Sequence, residues 1–156
     1  LKPIFKHKSF ILISERRFSP RDPTFAYSFL NARIVEDNVA ERLDADIEPA
    51  EVTPALVDEI ARMEPFGHGN PEPMFLSRGL TILEKRRVGA DGSHWKLVVR
   101  GEALPPTDCI AFGMGDYDDR FEVGDEVDVV YTPQWNEFNG RREIQWLVHD
   151  IRLSQV

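Results

Sequence analysis

The sequence predicts a mainly β protein in which one helix precedes the strands. In the second half of the chain, apolar and polar residues alternate over several short segments, as they do in half-buried strands. Segments that contain Gly or Pro separate these stretches. We therefore expect three parts: an N-terminal segment of unclear structure (1–43), a linker, helix and connector (44–73), and a β domain (74–156).

The N-terminal segment gives no clear pattern and remains poorly defined. Ser9–Ser14 is compatible with a short strand, and a helix is compatible with either Thr24–Ala32 or Glu36–Leu43. Asp44–Thr53 is acidic and contains a proline, so we expect a linker there.

The predicted helix begins at Thr53 and Pro54. Threonine can cap the first turn, and proline is tolerated there because its missing N–H has no helical partner. An apolar stripe at helical spacing follows, formed by Leu56, Val57, Ile60 and Met63. The helix must end before Pro65–Pro73, which holds three prolines and two glycines in nine residues and predicts an ordered turn or an extended connector.

Five strands are predicted after this connector. We expect a turn at Gly89–Gly92, a short connection at Gly115–Phe121 and a loop at Gln134–Gly140. Five strands with a connection between the third and the fourth have the count and order of an OB-fold-like barrel, although a small open sandwich fits the same pattern. The predicted strands are Met74–Val88, His94–Arg100, Thr107–Met114, Asp125–Thr132 and Arg141–Leu153.

Several residues are expected in the core. Trp95 and Trp146 fall on the apolar side of their strands. Cys109, the only cysteine, is expected to be a buried structural thiol; it cannot form an internal disulfide, which favours a cytoplasmic location. No apolar run reaches the roughly 18 residues that a membrane span needs, so no membrane partner is expected. The chain begins with Leu1, and we expect it to be a piece of a longer protein.

The charge is unevenly distributed along the 156 residues. The net charge is −8, which counts against non-specific binding to nucleic acid. Residues 1–42 carry 8 basic and 5 acidic side chains, whereas residues 43–156 carry 11 basic and 22 acidic ones. A polyanion therefore has to bind a local basic patch on an acidic domain.

No motif in the sequence predicts a catalytic or metal site, and we expect no cofactor in this chain. The four histidines are widely spaced, and there is no Asp-His-His run, H-E-x-x-H or C-x-x-C. Asp116, Asp118 and Asp119 lack the residues that complete a calcium loop, so a solvated loop is favoured over a cation site.

Binding of a single-stranded nucleic acid has better support. OB folds use one sheet face and two loops for this purpose, with cations for phosphates and aromatic rings for bases. The basic residues could instead be ordinary solvated strand ends and faces. Trp135 and Phe138 could stack on a base, cover the barrel end or contact another domain. The candidate binding residues are Lys85, Arg86, Arg87, Lys96, Arg100, Trp135, Phe138, Arg141 and Arg142.

The order of motifs resembles one family. Leu56–Phe75, with its Pro-Phe-Gly-His-Gly-Asn-Pro run, is similar to the helix and connector of RecJ-type single-strand-specific DNA exonucleases. Ile110–Met114, Gly124–Asp128, Tyr131–Asn136 and Gly140–Arg142 resemble the OB domain of that family. Residues 1–43 do not match what precedes that domain, and are expected to be a divergent end, a cloning artefact or a foreign segment.

The resemblance implies a function. The family degrades single-stranded DNA from the 5′ end in catalytic domains that bind a divalent metal, Mg²⁺ or Mn²⁺. Those catalytic motifs do not occur here, so this chain alone is expected to be inactive. We expect an accessory domain that binds single-stranded DNA. The alternative is a structural module that braces the catalytic domains or docks a partner, such as a single-strand binding protein.

Overall fold

The computed structural model describes residues 32–36 and 39–154. Its main body is a barrel of five strands: β4 (Phe75–Val88), β5 (His94–Gly101), β6 (Leu104–Ala111), β7 (Glu126–Phe138) and β8 (Arg141–Leu153). Neighbouring strands follow the order β4-β5-β6-β8-β7, and β7 pairs again with β4. This second pairing closes the barrel and rules out the open sandwich. The predicted OB fold is therefore confirmed.

A small hairpin precedes the barrel, formed by β1 (Ala32–Glu36) and β2 (Val39–Leu43). The helix considered for Glu36–Leu43 is therefore wrong. Helix propensity is a weak guide in so short a segment, and antiparallel pairing satisfies the same backbone groups. The strand predicted at Ser9–Ser14 lies outside the described residues, as do residues 24–31 of the other predicted helix.

The segment expected to be a linker, Asp44–Thr53, is ordered. Its strand β3 (Ala45–Asp46) pairs parallel with the start of β4, and a 3₁₀ turn follows at Pro49–Glu51. Ala45 and Ile47 are buried in the core. The acidic composition was misleading because these two apolar side chains fix the segment to the barrel.

The predicted helix is present as α1 (Pro54–Ala61). The Thr53 hydroxyl caps it by accepting a hydrogen bond from the Leu56 N–H at 3.3 Å. Leu56, Val57 and Ile60 are buried against the barrel. The connector Pro65–Pro73 then turns the chain, and the Asn70 side chain donates to the carbonyls of Met63 and Pro65 at 2.7 and 3.1 Å.

Strand β6 begins earlier than predicted, at Leu104, and includes Pro105 and Pro106. Prolines are tolerated at the start of a strand, where no ladder hydrogen bond requires their N–H. The connection after β6 is a 3₁₀ helix, Gly115–Arg120, in agreement with the short connection predicted there. In β4, Gly79 has a φ of 66°, a backbone conformation that glycine adopts without steric cost.

The loop predicted at Gln134–Gly140 is wrong. Strand β7 continues to Phe138, and β8 starts at Arg141 directly opposite it. Only Asn139 and Gly140 form the turn, with φ values of 50° and 74°. An Asn-Gly pair with positive φ at both residues is the preferred two-residue hairpin connection. The polar composition of the segment reflects the solvent-exposed end of β7 and the turn rather than a loop.

The centre of the barrel holds the aromatic residues predicted for it. Trp95 and Trp146 are fully buried, as expected. The rings of Trp146 and Tyr131 are stacked, with centroids 3.6 Å apart and planes 4° from parallel. Cys109 is also fully buried, which confirms the structural thiol.

Candidate nucleic-acid interface

One side of the sheet formed by β4, β5 and β6 faces solvent, and we call it the outer face. Along β5, Trp95, Leu97 and Val99 point into the core, so the alternate residues point outward. Strand register places Arg86 of β4 beside Lys96 of β5, and Lys96 beside Ile110 of β6. The outward residues of the three strands are Glu84, Arg86, Val88, His94, Lys96, Val98, Arg100, Asp108 and Ile110.

Three of the predicted basic residues lie on the outer face. Arg86 and Arg100 are exposed and form no ion pair with any residue in the described part of the chain. Lys96 differs, because its Nζ lies 3.2 Å from Oδ2 of Asp108 on the neighbouring strand. The outer face therefore presents two arginines whose charge is not offset by a described partner, and one lysine whose charge is partly offset.

Lys85 and Arg87 lie on the opposite side of β4, where each contacts the 3₁₀ helix Gly115–Arg120, which we call the acidic 3₁₀ helix. The Lys85 ammonium donates to the Asp118 carbonyl at 2.6 Å, and its side chain is only 16% exposed. Arg87 forms an ion pair with Asp119. The indole N–H of Trp95 donates to Oδ1 of Asp118 at 2.8 Å. Two of the predicted binding residues, Lys85 and Arg87, are thus paired with residues of the acidic 3₁₀ helix.

An exposed aromatic residue that the sequence analysis did not single out follows β6. Phe112 is 56% exposed and contacts His94 edge to face, with ring centroids 5.2 Å apart and an interplanar angle of 80°. His94 is itself fixed, because its Nδ1 accepts a hydrogen bond from the Gly113 N–H at 3.0 Å. The alternation of β6 could have identified it, since Phe112 shares the outward parity of Asp108 and Ile110.

The second part of the candidate site is the end of the β7–β8 hairpin, residues 135–144, which we call the arm. Strand β4 pairs with β7 only as far as Tyr131, and β6 pairs with β8 only from Gln145 onward. The arm therefore extends past its neighbours as a two-stranded ribbon. Register places Trp135 and Arg142 on one side of it, and Phe138 and Arg141 on the other.

The side of the arm that carries Trp135 faces helix α1. The Trp135 indole N–H donates to Oδ1 of Asp58 at 2.8 Å, and the ring packs against the edge of the core. The Arg142 guanidinium lies over the same ring, with its Cζ 4.0 Å from the centroid. Nη2 of Arg142 also lies 3.6 Å from Oδ1 of Asp58, and its Nε lies 3.5 Å from Oε1 of Glu137. Trp135 and Arg142, both predicted to bind nucleic acid, thus contact other residues of the chain instead of solvent alone.

The other side of the arm is open to solvent at its tip. Phe138 is 70% exposed, the highest value among the exposed large hydrophobic residues in the described part of the chain. Arg141 lies directly opposite it across the hairpin. Arg141 is exposed and forms no ion pair with a residue in the described ranges. An aromatic ring and a cation without a described partner are thus adjacent at the arm tip.

Burial shifts the pKa of Cys109 and of His149, two of the barrel side chains. Burial raises the pKa of the Cys109 thiol far above its usual value, which keeps it protonated and unreactive. Burial lowers the pKa of His149, whose Nε2 is 2.8 Å from the Thr132 hydroxyl. Within residues 32–36 and 39–154, no three His, Cys, Asp or Glu side chains come together in a way that could hold a metal ion. None of the described helices is long and apolar enough to cross a membrane.

Comparison with known proteins identifies one family for most of the chain. Residues 43–150 match the family described as the RecJ OB domain. The single-stranded-DNA-specific exonuclease RecJ of Bacillus subtilis is 28% identical over 105 residues, which cover 67% of this chain and 13% of that protein. The protein of the same description from Thermus thermophilus is 33% identical over 114 residues, which cover 73% of this chain and 15% of that protein. This chain therefore spans about one seventh of the length of these relatives.

Solved structures with similarity to the chain include RecJ of Thermus thermophilus in complex with Mn²⁺. That match has a TM-score of 0.49 and 31% identity, and it covers 66% of this chain and 14% of the other. The second single-stranded DNA binding protein of Mycobacterium smegmatis, SSBb, matches with a TM-score of 0.44 and 19% identity, covering 52% of this chain and 84% of the other.

Proposed function

Because the chain belongs to the RecJ OB domain family, we propose that it binds single-stranded DNA as an accessory domain of a RecJ-type 5′-3′ exonuclease. Its relatives are named single-stranded-DNA-specific exonucleases, and it corresponds to a small part of each. The role we assign to it is to hold the strand. Bond cleavage we assign to catalytic domains of a parent protein, which we expect to bind a divalent metal, Mg²⁺ or Mn²⁺, in the cytoplasm.

The observation that carries this proposal is the coincidence of exposed aromatic rings with arginines that have no described partner. Single-strand binding needs cations for the phosphates and rings for the bases. Arg86 and Arg100 on the outer face, and Arg141 on the arm, supply the cations. Phe138 at the arm tip and Phe112 beside the outer face supply the rings. We propose these five residues as the main contacts.

The other candidate residues have supporting roles in this proposal. Lys96 can contact phosphate only if it exchanges its ion pair with Asp108. Lys85 and Arg87 hold the acidic 3₁₀ helix against the barrel. Trp135 and Arg142 hold the arm against α1 and contribute to binding indirectly.

A bracing or docking module is the second candidate function. The net charge of −8 and the engagement of four predicted basic residues with acidic neighbours favour it. In that case the barrel would support the catalytic domains or dock a partner such as a single-strand binding protein. The two functions differ in whether the isolated chain binds DNA.

A salt titration with the complete 156-residue chain tests the proposal. Fluorescence anisotropy of a labelled oligothymidylate would be recorded at several salt concentrations, with a duplex of equal length as the control. We expect binding of the single strand at low salt, weaker binding to the duplex, and a loss of affinity of about 0.7 log units per log unit of salt for each phosphate contacted. No binding at low salt would contradict the proposal and favour the bracing module.

A further inference from the structure

Three side chains form a clamp between the arm and helix α1. The indole N–H of Trp135 donates to Oδ1 of Asp58 at 2.8 Å, and Nη2 of Arg142 lies 3.6 Å from the same oxygen. The Arg142 guanidinium covers the Trp135 ring at 4.0 Å. Each member therefore contacts both of the others. Asp58 belongs to the helix, and its two partners belong to the two strands of the arm.

The clamp holds one side of the arm and leaves the opposite side open at the tip. Trp135 is half-buried at the edge of the core, whereas Phe138, three residues further along β7, is 70% exposed. At about 3.3 Å per residue, Phe138 lies roughly 10 Å beyond Trp135 along β7, whereas on β8 Arg142 directly follows Arg141 and reaches back over the Trp135 ring. The tip pair, Phe138 and Arg141, points to the side of the ribbon that faces away from Asp58.

We propose that Asp58 is a positioning residue for DNA binding. Through Trp135 and Arg142 it fixes the arm, so that Phe138 and Arg141 are already in place when a strand arrives. This inference rests on the proposed function. A two-stranded ribbon is only marginally stable by itself, so the arm needs an anchor outside its own ladder. An arm that is fixed before binding avoids the entropy cost of ordering its side chains on the DNA.

The test compares Asp58→Ala with a charge-matched control, Glu59→Ala. Glu59 is the next residue of α1 and pairs with Arg62 of the same segment rather than with the arm. Both variants remove one negative charge from the helix, which by itself should favour binding of a polyanion. We expect Asp58→Ala to bind oligothymidylate at least about 5-fold more weakly, the ordering cost of two side chains. Glu59→Ala should bind as tightly as the wild type or slightly more tightly.

A conservative variant and a second background separate positioning from general damage. Asp58→Asn keeps an oxygen that can accept the indole N–H, and should retain most of the affinity. In a chain that already carries Phe138→Ala and Arg141→Ala, Asp58→Ala should have no further effect on affinity, because the clamp acts through these two residues. An equal loss of affinity in both backgrounds would overturn the proposal and indicate general destabilisation.

Hydrogen exchange gives a readout that does not involve DNA. In Asp58→Ala, backbone amides of residues 135–144 should exchange faster, while those of the barrel strands keep their wild-type rates. Unchanged exchange in the arm of Asp58→Ala would overturn the positioning role. So would a wild type that binds DNA together with an Asp58→Ala variant that binds it equally tightly. If the wild type itself binds no DNA, the proposed function fails, and the positioning role fails with it. That outcome is distinct from a wild type that binds and a variant that binds equally well.

Discussion

Substitution of Phe138 by alanine separates DNA binding from stability more cleanly than any other change in the arm. The side chain is 70% exposed in the free chain, so its removal leaves little apolar contact to lose. Exposed substitutions of this kind usually change the free energy of unfolding by less than about 0.5 kcal/mol. The contribution of Phe138 should therefore become visible only when DNA is bound.

The expected loss of affinity follows from stacking. One base on an aromatic side chain is worth about 1–3 kcal/mol by alanine substitution. Phe138→Ala should therefore weaken binding of a single strand roughly 5- to 150-fold. Phe138→Trp keeps a ring at this position and should bind about as tightly as the wild type. These variants and the wild type would be compared by anisotropy titration and by their denaturant midpoints.

A matched control is available at Val123, which is 59% exposed and lies between the 3₁₀ helix and β7, outside the candidate site. Val123→Ala removes exposed apolar surface without touching the arm, and should leave the affinity unchanged. If Phe138→Ala binds single-stranded DNA as tightly as the wild type, the arm tip is not a base-stacking site. A lower denaturant midpoint for Phe138→Ala would show that the ring supports the hairpin instead.

Three further predictions concern the arginines, the clamp and the thiol. Arg100→Ala combined with Arg141→Ala should reduce the slope of log affinity against log salt for single-strand binding by about 1.4, the value for two lost phosphate contacts. An unchanged slope would show that neither arginine contacts phosphate. Trp135→Ala should lower the free energy of unfolding by about 2–4 kcal/mol, because it removes a hydrogen bond to a carboxylate and the contact with a stacked guanidinium. A normal denaturant midpoint with much weaker DNA binding would instead support direct stacking of Trp135 on a base. Cys109 should resist a thiol reagent in the folded chain and react after denaturation, whereas rapid labelling of the native protein would contradict its burial.

The barrel could be predicted from the sequence because burial in a half-exposed strand has a period of two. Trp95 and Trp146 were correctly placed in the core by this alternation. The arm was missed for the opposite reason. Both of its sides carry polar residues, so composition indicated a loop, and only the Asn139-Gly140 pair signalled a hairpin.

The candidate site could be predicted only in part. Three consecutive basic residues on one strand cannot all face the same side, and the alternation already separates Arg86 from Lys85 and Arg87. The same rule identifies Phe112 as outward facing. The contact between Trp135 and Asp58 is different, because 77 residues separate the two in sequence and no local pattern predicts it. Polar contacts between distant elements require the fold to be known.

The most direct test of the central claim is an NMR titration of the ¹⁵N-labelled chain with unlabelled oligothymidylate. We predict that the largest shift changes will occur on the outer face at residues 96–100, around Phe112, and at the arm tip between Phe138 and Arg141. The amides of the connector and of the acidic 3₁₀ helix should change little. Shift changes confined to those two segments, or none at an excess of DNA in low salt, would contradict the claim that this barrel binds single strands through its outer face and arm.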